Sequence, residues 1–220
     1  MDKLSPPMED YLKAIYMIHE RDAAVTTTAI ATALSVTPAS VTGMIKKLAE
    51  LKLVRHTPYQ GVELTKAGEK VALEIVRHHR LLELFLIEAL GYSWDEVHAE
   101  ADVLEHVISE EFEERVAARL GYPVVDPHGD PIPAKDGTLI VIAEQSLLQL
   151  GAGCSATVTR VSDRNSAVLR YAGELGLRPG VRVTLIASEP FGGSLRVKVG
   201  KAECSIGREL AAQVFVAVND

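Results

Sequence analysis

A chain of 220 residues with 47% hydrophobic and 24% charged side chains has the composition of a folded protein of one large domain or two to three small ones, not of a disordered tail. No apolar run approaches the ~20 residues needed to cross a bilayer, and Met1-Asp-Lys-Leu-Ser-Pro-Pro7 has no signal-peptide core. A cytoplasmic protein without a membrane partner is therefore expected, with Cys154 and Cys204 reduced. The net charge of −7 argues by itself against nucleic acid, but its distribution is uneven. Residues 1–75 carry 9 Lys+Arg and 9 Asp+Glu, residues 76–150 carry 5 and 15, and residues 151–220 carry 9 and 6. The middle third also holds His78, His79, His98, His106 and His128, and acid concentrated with histidine suits a divalent cation.

In chain order, residues 8–20 read as an amphipathic helix behind Pro6-Pro7. Thr26 begins a short helix to Leu34, Ser35-Val36-Thr37 reads as a turn, and Thr37-Pro38 opens a third helix through Val41, Ile45, Leu48 and Leu51. Residues 53–57 and 62–65 flank Tyr59-Gln60-Gly61 as a hairpin. Helix, short helix, tight turn, helix and hairpin is the order of a winged helix-turn-helix. Its reading surface is expected at Thr37, Pro38, Ala39, Ser40, Thr42, Gly43, Lys46 and Lys47. There the small hydroxyls approach base edges and the lysines approach phosphates. Arg55, His56, Tyr59 and Lys66 on or near the wing would grip the flanking backbone. A three-helix protein-docking module is the alternative.

Glu69 to about Leu90 reads as one long helix stopped by Gly91-Tyr92, and Ser93-Trp94-Asp95-Glu96 resembles a capping box for the next. That next helix is expected to reach Ile108. At helical spacing, His98, Asp102, Glu105 and His106 would project from one side, while His79 and Glu83 sit four apart on the preceding helix. Two helices that each offer imidazole and carboxylate can surround a divalent cation; a merely solvated acidic face is the alternative. A further short helix covers about 109–120, and the surplus apolar surface of these helices fits a subunit interface. Residues 123–138 have a Pro/Gly linker composition. Runs at 156–161, 181–187, 195–199 and 213–218, with a helical piece near 166–176, read as a small β-barrel.

Five strings in this order resemble the diphtheria toxin repressor family of metal-dependent transcriptional regulators. They are Met8-Glu-Asp10-Tyr-Leu-Lys-Ala-Ile-Tyr16, Thr37-Pro-Ala-Ser-Val-Thr42, His79-Arg-Leu-Leu-Glu83, His98-Ala-Glu-Ala-Asp102-Val-Leu-Glu105-His106 and Pro127-His-Gly-Asp-Pro-Ile-Pro133. The resemblance covers essentially the whole chain. It implies an α+β protein with a winged helix-turn-helix over 1–74, an all-α dimerisation and metal-binding domain over 75–140, and an SH3-like (FeoA-like) barrel over 141–220. It implies a primary metal site of Asp10, Asp102, Glu105 and His106, and an ancillary site of His79, Glu83 and His98.

Four departures from the family pattern bear on the ion. Iron-type members have Met and Cys where this chain has Asp10 and Asp102, so its ligands are harder and suit Mn²⁺, with Fe²⁺ the alternative. Asp102 is also one methylene shorter than the Glu of many manganese members. Manganese members without a barrel have a Glu ligand where this chain has Lys13, so their two-metal cluster is not expected in the same form. The Glu and Gln that the barrel supplies in iron-type members have no evident counterpart, with Asp163 and Asn165 the candidates. The resulting expectation is a homodimeric, non-enzymatic, manganese-responsive repressor of metal uptake genes that binds a palindromic operator in double-stranded DNA, bound metal fixing the dimer geometry. An iron-dependent repressor of the same family is the near alternative. A metal-dependent hydrolase and a metal-blind DNA-binding protein are the distant ones; the hydrolase is disfavoured because the chain has no HExxH and no phosphate-binding glycine loop.

Overall fold

The structure, a computed structural model, describes residues 4–20, 24–57, 61–163 and 165–218. The chain divides into two compact units: Met1–His79 with Leu104–Ser109 and Pro133–Thr138, and Arg80–Val103 with Glu110–Ile132 and Leu139–Asp220.

In the first unit, helix α1 (Pro6–His19) starts with two prolines, whose fixed φ suits a first helical turn, and buries Leu12, Ile15 and Ile18. Thr26 caps α2 (Thr27–Ala33) by accepting the Ala29 N–H at 3.0 Å. The chain then turns through Ser35, in the left-handed region at φ 53°, into α3 (Pro38–Glu50). Thr37 Oγ1 caps α3 by accepting the Ser40 N–H at 3.2 Å. Val41, Ile45 and Leu48 bury one face of α3, as their i, i+4, i+7 spacing requires. Strands β1 (Val54–Thr57) and β2 (Gly61–Leu64) pair antiparallel from Val54↔Leu64 to Thr57↔Gly61. The expected hairpin tip, Tyr59-Gln60, lies outside the described residues. Helix α4 (Lys66–Leu90) starts three residues earlier than expected, because the Thr65 hydroxyl accepts the Gly68 N–H at 3.1 Å and supplies a cap.

In the second unit, α4 stops at Gly91, where φ is +73° and Tyr92 N–H returns to Leu86 O at 3.2 Å. The expected capping box is different: the Ser93 hydroxyl donates to Glu96 Oε2 at 2.8 Å, and α5 begins only at Val97. Helix α5 (Val97–Leu104) also ends four residues short of the expected Ile108, so Glu105 and His106 lie in the turn that follows it. The expected single helical face of His98, Asp102, Glu105 and His106 therefore does not exist. No glycine or proline ends α5. Val107 N–H tightens onto Leu104 O at 3.0 Å, and residues 104–109 join the first unit, where Glu105 makes contacts that another helical turn would forgo. Helix α6 (Glu110–Arg119) carries Glu110, Glu111 and Glu113 in its first turn, the end where the helix dipole favours anions.

The linker-like composition after α6 folds into an ordered loop. A Val125↔Pro131 bridge closes it, and Asp126 Oδ1 accepts the N–H groups of His128 (2.8 Å) and Asp130 (2.9 Å). The rest is an antiparallel six-stranded sheet in the order β3-β8-β4-β5-β6-β7: β3 (Gln145–Ser146), β4 (Ser155–Val161), β5 (Arg182–Ser188), β6 (Leu195–Val199), β7 (Ala202–Ile206) and β8 (Val214–Ala217). Helix α7 (Ser166–Glu174), capped by Asn165 Oδ1 on Ala167 N–H at 2.9 Å, and the short α8 (Arg208–Ala211) complete this unit. Among the described residues the ladder is open, with no pairing between β3 and β7, so the domain is SH3-like without a closed barrel. Its core gathers Trp94, Leu147, Val158, Leu169, Leu185, Val197 and Val216. No single described helix is long and apolar enough to cross a membrane.

Candidate metal centre and nucleic-acid interface

Within the first unit, Asp10, Glu105 and His106 each place one ligand atom within 4.8 Å of the others. Asp10 reaches the cluster from α1, and the other two from the turn after α5. His106 Nε2 lies 2.9 Å from Asp10 Oδ1 and 3.5 Å from Glu105 Oε1, and its Nδ1 lies 2.7 Å from Glu9 Oε2. Burial pushes the Asp10 carboxyl up from its ordinary range, and the neighbouring His106 opposes that shift. Glu105 is 2% exposed. Its Oε2 accepts from Lys13 Nζ at 2.7 Å and lies 2.6 Å from His79 Nδ1, whereas its Oε1 is buried without a hydrogen-bond partner. A buried carboxylate oxygen without a donor costs free energy that a cation would recover. Two carboxylates and an imidazole form a donor set that suits Mn²⁺ or Fe²⁺. Glu9, which the sequence reading did not select, stands at the second ring nitrogen of His106, the place from which an acceptor orients a metal-ligating imidazole.

Asp102, His98, Glu83 and His79 are the remaining expected ligands. Asp102 belongs to the second unit, where its half-exposed carboxylate pairs with His98 Nε2 at 3.5 Å. His98 Nδ1 also lies 3.2 Å from Oε1 of the fully buried Glu83. His79 stands one turn before Glu83 on α4, with its Nδ1 at Glu105 Oε2 and 3.0 Å from Lys13 Nζ.

A further group lies wholly in the second unit. Glu83, His128 and Asp163 each offer a ligand atom within 4.8 Å of the others. His128 is fully buried; its Nε2 lies 2.9 Å from Trp94 O. Its Nδ1 has no hydrogen-bond partner and stands 3.7 Å from Glu83 Oε2. The carbonyl therefore directs the Nε2 proton, and Nδ1 faces the carboxylates. Burial opposes a charge on His128, but Glu83 and Asp126 outweigh it and push the imidazole up to about 9, so a metal held there displaces a proton. Gly129 is the residue that lets this loop sit down: at φ +96°, an added Cβ would come 2.0 Å from Thr159 O. The Trp94 ring packs on His128 with centroids 5.3 Å apart, and the Arg178 guanidinium lies 4.6 Å from the Trp94 ring centroid. His128 belongs to the histidines clustered in the middle third, in a segment whose Pro/Gly content resembles a linker; Asp126-Pro-His-Gly-Asp130 is the local signal for its turn.

On α3, Thr37, Pro38, Ala39, Ser40, Thr42, Gly43, Lys46 and Lys47 are all exposed, while Val41, Ile45 and Leu48 turn inward. The hydroxyls are held locally, Thr37 against Ser40 at 3.0 Å and Thr42 donating to Pro38 O at 3.0 Å. Gly43 sits in the middle of the exposed face with nothing within 4 Å of where a Cβ would be. Arg55 and His56 are exposed on β1.

Three family models match along the chain. Residues 3–62 match the N-terminal DNA binding domain of the iron dependent repressors, residues 65–134 their metal binding and dimerisation domain, and residues 145–218 the FeoA domain. The chain is 30% identical over 229 residues to an iron-dependent repressor of Mycobacterium leprae (strain TN), covering 98% of this chain and 99% of that one. It is 34% identical over 118 residues to the helix-turn-helix regulator MntR of Bacillus subtilis (strain 168), covering 54% of this chain and 82% of the relative. A solved manganese-dependent transcriptional repressor in complex with manganese superposes with a TM-score of 0.90 at 38% identity, covering 96% of this chain and all of that one.

Proposed function

The chain belongs to the diphtheria toxin repressor family, whose members are metal-dependent transcriptional repressors, and from that premise we propose that it is a homodimeric repressor whose activating ion is Mn²⁺. The observation that carries the choice of ion is the Asp10, Glu105 and His106 cluster, which contains two carboxylates and no sulfur. An ion held by these three fastens α1 of the DNA-reading head to the turn that leaves α5. Glu9 would orient His106, and Glu105 Oε1, buried without a hydrogen-bond partner, would be one of the oxygens that hold the ion. Bound cation supplies a fixed positive charge with defined coordination. The protein's own residues supply the selectivity, because the fastened arrangement binds the ion and the unfastened one does not.

Glu83, His128 and Asp163 form a second site in this reading. The functional division is DNA reading by 1–74, dimerisation and metal binding by 75–140, and an SH3-like domain over 141–220 that contributes Asp163. The exposed residues Thr37, Pro38, Ala39, Ser40, Thr42, Gly43, Lys46 and Lys47 face the major groove, and a dimer reads a palindrome with half-sites about one helical turn apart. Fe²⁺ is the second reading, favoured by the match to an iron-dependent repressor over nearly the whole chain. The test is DNA binding in excess chelator, then with Mn²⁺ or anaerobic Fe²⁺ titrated back. Binding should vanish in chelator and return at lower free Mn²⁺ than Fe²⁺. Restoration by Fe²⁺ at the lower concentration would favour the second reading, and binding unaffected by chelator would contradict both.

A further inference from the structure

Residues 134–138 form a turn closed by its own backbone: the Gly137 N–H donates to Ala134 O and the Ala134 N–H to Thr138 O, each at 2.8 Å. Farther on, Gln145 and Ser146 of β3 pair with Val216 and Phe215 of β8, and the Glu144 carboxylate accepts from Thr159 Oγ1 at 2.7 Å and Arg160 Nη2 at 2.6 Å. Between these two anchors, Leu139-Ile-Val-Ile-Ala143 belongs to no helix or strand. None of its backbone N–H and C=O groups has a backbone partner among the described residues. Yet its composition is that of a strand. Ile140, Val141 and Ile142 are β-branched, and no charge, proline or glycine occurs from Thr138 to Ala143. Ile140 is 43% and Val141 96% exposed. The string leads into β3, the strand at which the sheet order ends. Charge or proline ordinarily blunts such an edge, and here neither does.

We propose that residues 139–143 are an intersubunit strand, which pairs antiparallel with the same string of a second copy about a two-fold axis at Val141. Two features favour a second copy over any other partner. First, the string is complementary to itself. With Val141 opposite Val141, Ile140 meets Ile142 and Leu139 meets Ala143, so every opposed pair is apolar on apolar. Second, the string lies between residue 134, where the match to the dimerisation domain ends, and residue 145, where the FeoA match begins. A second copy gathered by that domain presents an identical string at high effective concentration. Pairing gives the open backbone groups partners and removes Ile140 and Val141 from water. The proposal rests on the homodimeric reading and is independent of which ion binds.

The experiment places single cysteines in the full chain, with the free thiols Cys154 and Cys204 replaced by serine (C154S, C204S). A short-span thiol cross-linker reads the pairing, and sedimentation equilibrium reads self-association. V141C, on the axis, should cross-link to its own copy. L139C should not, because the antiparallel register sets its own copy about 13 Å away along the strand. L139C co-expressed with A143C should cross-link, since those two positions face each other. V141K sets two ammonium groups opposite one another and should weaken self-association about tenfold or more with unchanged far-UV circular dichroism. A parent dimer in which V141C stays uncross-linked, or in which V141K associates as the parent does, overturns the pairing and leaves the homodimer standing. Equal cross-linking of V141C and L139C means association without register and also overturns it. A parent that sediments as a monomer contradicts both the pairing and the homodimer.

Discussion

His106 Nε2 lies 2.9 Å from Asp10 Oδ1, so a residue that follows α5 meets one from the first helix across 96 positions of sequence. On its other side the same imidazole lies 2.7 Å from Glu9 Oε2. If the Nε2 edge faces the ion, Glu9 aligns the ring. Glu9→Gln keeps a polar group there but no anion, and should weaken Mn²⁺ at the primary centre by about tenfold or more without unfolding the protein. Isothermal titration with Mn²⁺ checks this, and an unchanged affinity would remove Glu9 from the site.

The second site has a built-in reporter. Trp94 is the single tryptophan of the chain and packs against His128. Mn²⁺ taken up by Glu83, His128 and Asp163 should change Trp94 fluorescence. Asp163→Asn should shift that change to about tenfold higher Mn²⁺, and His128→Gln should abolish it. A titration in which Asp163→Asn matches the parent would exclude Asp163 as a ligand.

How much of this was legible in the sequence depended on whether a local signal existed. Thr37-Pro38 announces the start of α3 because a hydroxyl cap and a proline in the first turn are both local devices. The end of α5 has no such device. Leu104-Glu-His-Val-Ile108 contains no breaker, and the helix stops where Glu105 is drawn to Lys13 and His79, partners more than 25 residues away. Glu9 stood beside Asp10 in the string that carried the family likeness, but nothing local says that it faces His106. His128 was obscured by the prolines around it. Strand β7, Ala202-Glu-Cys-Ser-Ile206, lacks the β-branched alternation that marks β6, and forms because β6 offers it an edge.

Gly43 tests the DNA-reading surface. Its position has open space for a side chain, so the fold does not require glycine there. Gly43→Ala should raise stability by about 0.5–1 kcal/mol, the usual helix-interior gain, yet weaken operator binding if the helix backbone approaches DNA closely. Lys46→Ala and Lys47→Ala should instead weaken binding to all sequences and flatten its salt dependence by about one unit of slope each. Thermal melts and salt-dependent anisotropy measure both; Gly43→Ala with full DNA affinity would place this face away from the groove.

Stability should depend on pH through Asp126. Burial first, then the carboxylates of Asp130 and Glu83, raise its carboxyl well above 3.8, with Arg80 opposing. A carboxyl raised in the folded state contributes stability that is present below 3.8 and is lost as pH rises through the higher folded value. Asp126→Asn keeps the oxygen that accepts from His128 and Asp130 and removes the ionisation. In chelator, the variant should melt with the parent at pH 4 and above it at pH 7, so a gap that shrinks with rising pH would refute the assignment.

The most direct test is DNA binding titrated with Mn²⁺ for the parent, Glu105→Gln and His106→Ala, with dimer assembly verified by sedimentation. In the proposed reading these ligands and Asp10 would hold the ion that joins α1 to the turn after α5. Both variants should therefore remain folded dimers and lose the Mn²⁺-dependent gain in affinity even at saturating metal. A normal Mn²⁺ response from either variant would contradict the assignment of this cluster as the switch.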